Sequence, residues 1–79
     1  MKVRVLFFGA TADEMGQRSF ELPFETDVGA RYAFLDVVNR FPQLRKHKLL
    51  FAVNQEYVSD DRVLNDGDEL AIFTAVSGG

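Results

Sequence analysis

Hydrophobic and polar positions alternate from the start of the chain. Between Lys2 and Phe8, Val3, Val5 and Phe7 fall on one side of a pleat and Arg4, Leu6 and Phe8 on the other, because successive side chains of a strand point to opposite faces. A first strand is predicted there. Residues Gly9 to Gly16 are small or polar and are bounded by glycines, which predicts a loop with room for one helical turn. Period two returns from Arg18 to Phe24, where Phe20, Leu22 and Phe24 are separated by Ser19, Glu21 and Pro23. This is the pattern of a half-buried strand, and a proline without an amide donor favours the sheet edge. The two strands are expected to form a hairpin.

The period then changes. Asp27 is placed to cap a helix, and Val28, Tyr32, Leu35 and Val38 recur at three- and four-residue steps, the spacing of one helical face. The helix should stop near Arg40-Phe41, because Pro42 has no amide to donate and disfavours the α conformation of its predecessor. The basic cluster Arg45-Lys46-His47-Lys48 reads as a loop. Leu49 to Val53 is apolar enough for a strand buried on both faces, and Asn54-Gln55 turns the chain toward Tyr57-Val58. After Ser59-Asp60-Asp61-Arg62 come a short strand at Val63-Leu64 and a turn at Asn65-Asp66-Gly67-Asp68. Alternation resumes from Glu69 to Ala75, with Leu70 and Ile72 on one face and Ala71 and Phe73 on the other. A single amphipathic helix needs a sheet face to bury against, so this order predicts an α+β roll: a mixed sheet packed on one main helix.

Length and composition narrow the possible chemistry. Seventy-nine residues make one domain, too small to enclose a substrate pocket of the usual volume easily. Catalysis in isolation is therefore not expected. Without cysteine there is no disulfide, thiol nucleophile or thiolate metal site. A net charge of −3 argues against nucleic acid as the main partner, because phosphate binding needs a basic surface. No apolar run approaches the length of a membrane span, and Met1-Lys2-Val3-Arg4 leads into a run too short for a signal peptide. A cytoplasmic chain is expected, neither exported nor membrane-bound. The lone His47 reads as a solvated loop residue, and no metal site is expected. Gly9 and Gly16 lack the lysine of a phosphate loop, and Asp60-Asp61 and Asp66-Asp68 read as turn formers rather than acid–base pairs.

The final residues, Val76-Ser77-Gly78-Gly79, carry the chemical signal. Two glycines end a chain by chance about once in 200 sequences at an abundance of roughly 7%. A backbone without Cβ ranges over conformations closed to other residues. Such a tail can thread a narrow channel and present the Gly79 carboxylate to another protein's active site. A carboxylate is a poor acyl donor, but adenylation turns it into an anhydride that sulfur or amine nucleophiles attack. The alternative is a frayed end without function.

Leu50-Phe51-Ala52-Val53-Asn54-Gln55, Leu64-Asn65-Asp66-Gly67-Asp68-Glu69-Leu70-Ala71 and Val76-Ser77-Gly78-Gly79 resemble segments of the prokaryotic sulfur carriers. Within them the match is to the small subunit of molybdopterin synthase, the MoaD family. The resemblance runs over nearly the whole chain, including Val5-Leu6-Phe7-Phe8 and Arg40-Phe41-Pro42. It implies a ubiquitin-like β-grasp domain over residues 1–75 and a C-terminal tail over 76–79. It also implies a protein cosubstrate with no bound cofactor and no active site of its own, the sulfur-donating subunit of a sulfurtransferase. An E1-like, MoeB-like enzyme would use ATP and magnesium to adenylate Gly79, and a sulfurtransferase system would convert it to a thiocarboxylate. Val76, Ser77 and Gly78 would enter a MoaE-like large subunit, which builds the dithiolene of molybdopterin within a heterotetramer. The chain departs from the family at Ala12-Asp13, where an Arg-Glu pair is common, and at Thr74-Ala75, where prolines are common.

If Val3, Val5, Phe7, Leu70 and Ile72 meet the helix, Phe8 and Phe73 emerge on the opposite face, joined by Tyr57. These positions match partner contacts of the family, and exposed aromatics suit interface anchors. The competing reading is ordinary packing under the Gly9–Gly16 loop. Competing functions are a ThiS-like thiamine sulfur carrier, a ubiquitin-like modifier joined to lysines through Gly79, and a β-grasp interaction module with an inert tail.

Overall fold

The computed structural model describes residues 1–57 and 62–75. Strand β1 (Lys2–Phe7) leads into a short helix α1 (Ala10–Met15) and strand β2 (Ser19–Pro23). A two-residue strand β3 (Val28–Gly29) precedes the main helix α2 (Ala30–Arg40), a 3₁₀ segment (Pro42–Lys46), β4 (Leu49–Val53), β5 (Val63–Leu64) and β6 (Glu69–Thr74). The main sheet has the order β2-β1-β6-β4. Its two central strands, β1 and β6, are parallel, and the outer pairs are antiparallel. One main helix crosses one face of this mixed sheet, the α+β roll that the order of elements predicted and the ubiquitin-like β-grasp that the resemblance implied.

The core follows the alternation of the strands. Val3, Val5 and Phe7 of β1, Leu22 of β2, Val53 of β4 and Leu70 and Ile72 of β6 are buried together beneath α2. The predicted hairpin forms, with Val3 opposite Leu22 and Lys2 opposite Pro23. Pro23 lies on an edge strand, where its missing amide leaves no rung unmade.

Several local expectations are corrected. The Gly9–Gly16 stretch is an ordered helix of six residues rather than a loop with a single turn. Gly9 and Gly16 bracket it at φ 55° and 67°, a region that glycine enters without Cβ strain. The main helix begins later than predicted. Gly29 occupies the N-cap without a side-chain bond, and Val28 pairs with Leu64 in the small β3–β5 ribbon instead of opening the helix. The buried stripe is Ala30, Ala33, Val37 and Val38, whereas Tyr32 and Leu35 are 65% and 44% exposed. Small residues let the helix approach the sheet closely, and an aromatic ring at position 32 has no such space. Pro42 ends the helix as predicted, but the basic cluster that follows is largely a 3₁₀ turn anchored by buried Leu44. Finally, β4 is an edge strand with Leu50 exposed, not one covered on both faces.

Candidate docking face and tail

The sheet face turned away from α2 is built row by row by strand register. Arg4 lies beside Glu21 on β2 and Glu69 on β6, which makes a charged row. One step along, Leu6 lies beside Ser19 and Ala71, and Ala71 beside Ala52. Beyond that, Phe73 lies beside Leu50 of β4, with Phe8 just past the end of β1. The face thus grades from charged to apolar along the direction of β6. The chain leaves the sheet at the apolar end, where the Ala75 N–H donates to the Lys48 carbonyl at 2.9 Å.

The apolar end holds a cleft of about 480 Å³, lined by Leu6, Phe8, Ala52, Tyr57, Ala71 and Phe73 together with Gln55 and Glu69. The three aromatic residues expected at the docking face are therefore brought together. Phe8 is 52% and Tyr57 74% exposed, and Tyr57 meets Phe73 edge to face with ring centroids 5.9 Å apart. Packing of Phe8 under the Gly9–Gly16 segment is excluded by that exposure. Phe8 and Leu6 also line a second depression of about 690 Å³, walled in part by Asp13, Gln17, Arg18 and Ser19.

Tyr57 owes its position to the turn before it. Asn54 and Gln55 both have positive φ, 49° and 70°, and Val53 and Glu56 bridge across them, which reverses the chain at the end of β4. The Asn54 side chain locks this turn to the β5–β6 connection. Its Nδ2 donates to Asp68 at 3.1 Å, and its Oδ1 accepts the Glu69 N–H at 2.9 Å. Asp68 also accepts the Asn65 N–H at 2.7 Å, and the two donors hold its carboxyl below the usual value of 3.8.

Leu6, Leu50, Ala52 and Ala71 extend the apolar surface beyond the predicted trio. Alternation had placed Leu6 and Ala71 on this face. Leu50 could be found only through its pairing with Phe73, which the uniformly apolar sequence of β4 conceals.

The predicted tail residues Val76, Ser77, Gly78 and Gly79 lie outside the described residues. His47 is not a free loop residue: it is half-buried, and its Nε2 lies 3.2 Å from Glu14 Oε1. Lys46 Nζ reaches the same oxygen at 2.9 Å. These hydrogen bonds, Lys46 first and His47 second, hold the Glu14 carboxyl below its usual range and tie α1 to the 3₁₀ segment. Among the described residues, no group of three His, Cys, Asp or Glu side chains is disposed to hold a metal ion, and no helix is long and apolar enough to cross a membrane.

A sequence model of the ThiS family matches residues 5–79. The chain is 39% identical over 84 residues to the molybdopterin synthase sulfur carrier subunit of Mycobacterium tuberculosis, and the alignment covers 100% of this chain and 99% of that one. It superposes on the crystal structure of SAMP1 from Haloferax volcanii with a TM-score of 0.83 at 25% identity, each chain covered in full. It has the same fold as a chain in the complex of subunits 1 and 2 of the molybdopterin-converting factor from Helicobacter pylori, with a TM-score of 0.72, 21% identity and full coverage of both. Matched from its first strand to its final glycine, the chain belongs to the ThiS family.

Proposed function

We propose that this chain is the sulfur-carrier small subunit of a molybdopterin synthase. The observation that carries the reading is an exposed apolar cleft at the end of the sheet from which the tail departs, in a chain aligned end to end with a molybdopterin synthase sulfur carrier subunit. The cleft docks on a MoaE-like large subunit, and Val76, Ser77 and Gly78 carry Gly79 into that subunit's active site. Two carriers and two large subunits make a heterotetramer, in keeping with the two-subunit assembly named for the Helicobacter pylori relative.

In this reading the chain holds no cofactor. A MoeB-like enzyme uses ATP and magnesium: the Gly79 carboxylate attacks the α-phosphorus, pyrophosphate leaves, and an acyl-adenylate forms. Hydrosulfide delivered by the sulfur source then attacks the acyl carbon, AMP leaves, the sulfur loses its proton, and the product is the thiocarboxylate of Gly79. All of this takes place in the cytoplasm. The domain itself supplies recognition and presentation, and the catalytic groups belong to its partners. The full-length molybdopterin synthase relatives favour this assignment over the thiamine carrier that shares the family.

Intact-mass measurement after incubation with ATP, the activating enzyme and a sulfur source tests the first half. Replacement of one oxygen by sulfur is expected, and it disappears on deletion of Gly79 while the melting temperature stays unchanged. Addition of the large subunit and pterin precursor tests the second half by dithiolene formation. An unmodified mass beside a control carrier modified in the same tube would refute the carrier reading and favour a modifier or an interaction module.

A further inference from the structure

Thr11 is the polar side chain that the core encloses completely among the described residues, and the docking role described above gives it no task. Its place is set by the parallel ladder of β1 and β6. That ladder begins with the Arg4 N–H donating to the Asp68 carbonyl at 2.9 Å. In a parallel pair such bonds recur every second residue. The register Leu6↔Ala71 and Phe7↔Ile72 therefore puts a later rung between the Phe8 N–H and the Ile72 carbonyl.

That rung passes through a side chain. The Phe8 N–H donates to Thr11 Oγ1 at 3.0 Å, and Thr11 Oγ1 donates to the Ile72 carbonyl at 2.8 Å. The same hydroxyl lies 2.8 Å from the Phe8 carbonyl, which also accepts the Thr11 N–H at 3.1 Å. One hydroxyl proton is shared between two carbonyls while the oxygen accepts the amide. A relay of two hydrogen bonds spans more than one direct bond, and it stands where the β1–β6 register ends at Phe7↔Ile72, beside the cleft that Phe8 and Phe73 both line.

The geometry points to Thr11 as a positioning residue for docking: its hydroxyl sets the separation of Phe8 from Phe73, and so the width of the cleft that receives an apolar side chain of the large subunit. This inference rests on the docking reading given above. Without the hydroxyl, Phe8 either closes onto the direct rung or leaves its amide buried and unpaired, and both outcomes spoil the cleft.

Calorimetric affinities for the purified large synthase subunit of the same organism test the role, measured for wild type, Thr11→Val, Thr11→Ser, Phe8→Ala and the Thr11→Val/Phe8→Ala pair. Thr11→Val is expected to bind about tenfold more weakly, as for the loss of one buried hydrogen bond. Thr11→Ser keeps the hydroxyl and is expected within about twofold of wild type, and in the Phe8→Ala background the valine change should add less than about twofold, because both act through one ring. Wild-type affinity for Thr11→Val, or an equal loss in both backgrounds, would overturn the positioning role. Wild-type affinity for Phe8→Ala would instead overturn the docking reading, and with it the role of Thr11, without any change at Thr11 itself. If the valine variant does not fold, the wild-type protein carries the test by NMR. The Thr11 hydroxyl proton is expected in slow exchange with water and cross-relaxing with the Phe8 amide, and exchange as fast as that of an exposed threonine would overturn the relay.

Discussion

Truncation of Phe8 to alanine tests the docking face directly. An aromatic side chain offers roughly 150–250 Å² for burial, and Phe8 is 52% exposed, so about 100 Å² remains for a partner to cover. At about 25 cal/mol per Å² this area is worth about 2.5 kcal/mol. Alanine keeps the Cβ share, about a fifth, so the loss is about 2 kcal/mol, or about 30-fold in Kd. The other half of Phe8 is covered by the chain itself, so by the same area arithmetic the isolated domain should lose up to about 2 kcal/mol of stability and still fold cooperatively. Titration calorimetry against the large subunit reads the first number and thermal melting the second. Because the lost interaction is apolar, the difference between variant and wild type should persist at high salt, where exposed charge pairs are screened. A cooperatively folded variant with a Kd within about threefold of wild type would refute the docking assignment.

The remaining expectations concern the same face and the two clamps that hold its edges. Phe73→Asp places a carboxylate in the cleft beside Tyr57; it should abolish co-elution with the large subunit while the variant melts cooperatively on its own. Gln55→Gly relieves a side chain held at φ 70° in the turn after β4, and urea unfolding should show a gain of about 0.5–1 kcal/mol, a loss being the contrary result. Glu14 has a folded pKa below its usual 4.5, so its pairing with Lys46 and His47 contributes stability that is present above that value and is lost as pH falls through the depressed one. Glu14→Gln should therefore melt below wild type near neutral pH and converge with it in acid; a gap independent of pH would count against the clamp.

How far the sequence could be read depended on whether one strand or two neighbours decided the outcome. In β1 and β6 the alternation of Val3, Val5 and Phe7 and of Leu70 and Ile72 set the buried face directly, and with it the outward direction of Phe73. Strand β4 carries almost no alternation, so the exposure of Leu50 depended on a pairing with β6 that is settled between strands. The helix stripe was misplaced for a related reason. Tyr32 and Leu35 fit helical spacing as well as Ala33 and Val37 do, and only the close approach to the sheet selects the smaller set. Val28 was drawn out of the helix by Leu64, a partner distant in sequence. The clamp of Glu14 on Lys46 and His47 and the relay through Thr11 likewise join segments that no local pattern connects. The role proposed for Gly78 and Gly79, which lie outside the described residues, rests on composition and covalent position alone.

In the carrier reading proposed above, docking face and tail together would act as a ruler. Ala75 is fixed to Lys48 by its amide, and the four residues that follow can extend by at most about 14 Å at 3.3–3.6 Å each. A partner that holds the apolar cleft therefore meets the Gly79 carboxyl only within that radius of the sheet end. One glycine inserted after Gly78 leaves the cleft untouched but lengthens the reach by about 3.5 Å. Near-attack geometry is unforgiving: a misplacement of about 1 Å can cost about 100-fold in rate. The insertion variant should thus bind the large subunit with wild-type affinity yet transfer sulfur at least about 100-fold more slowly in single turnover. Weakened binding would mean that the tail contributes to docking itself. Transfer at the wild-type rate would refute the ruler, because the reacting carboxyl would then be placed by the partner's channel and not by its distance from the sheet.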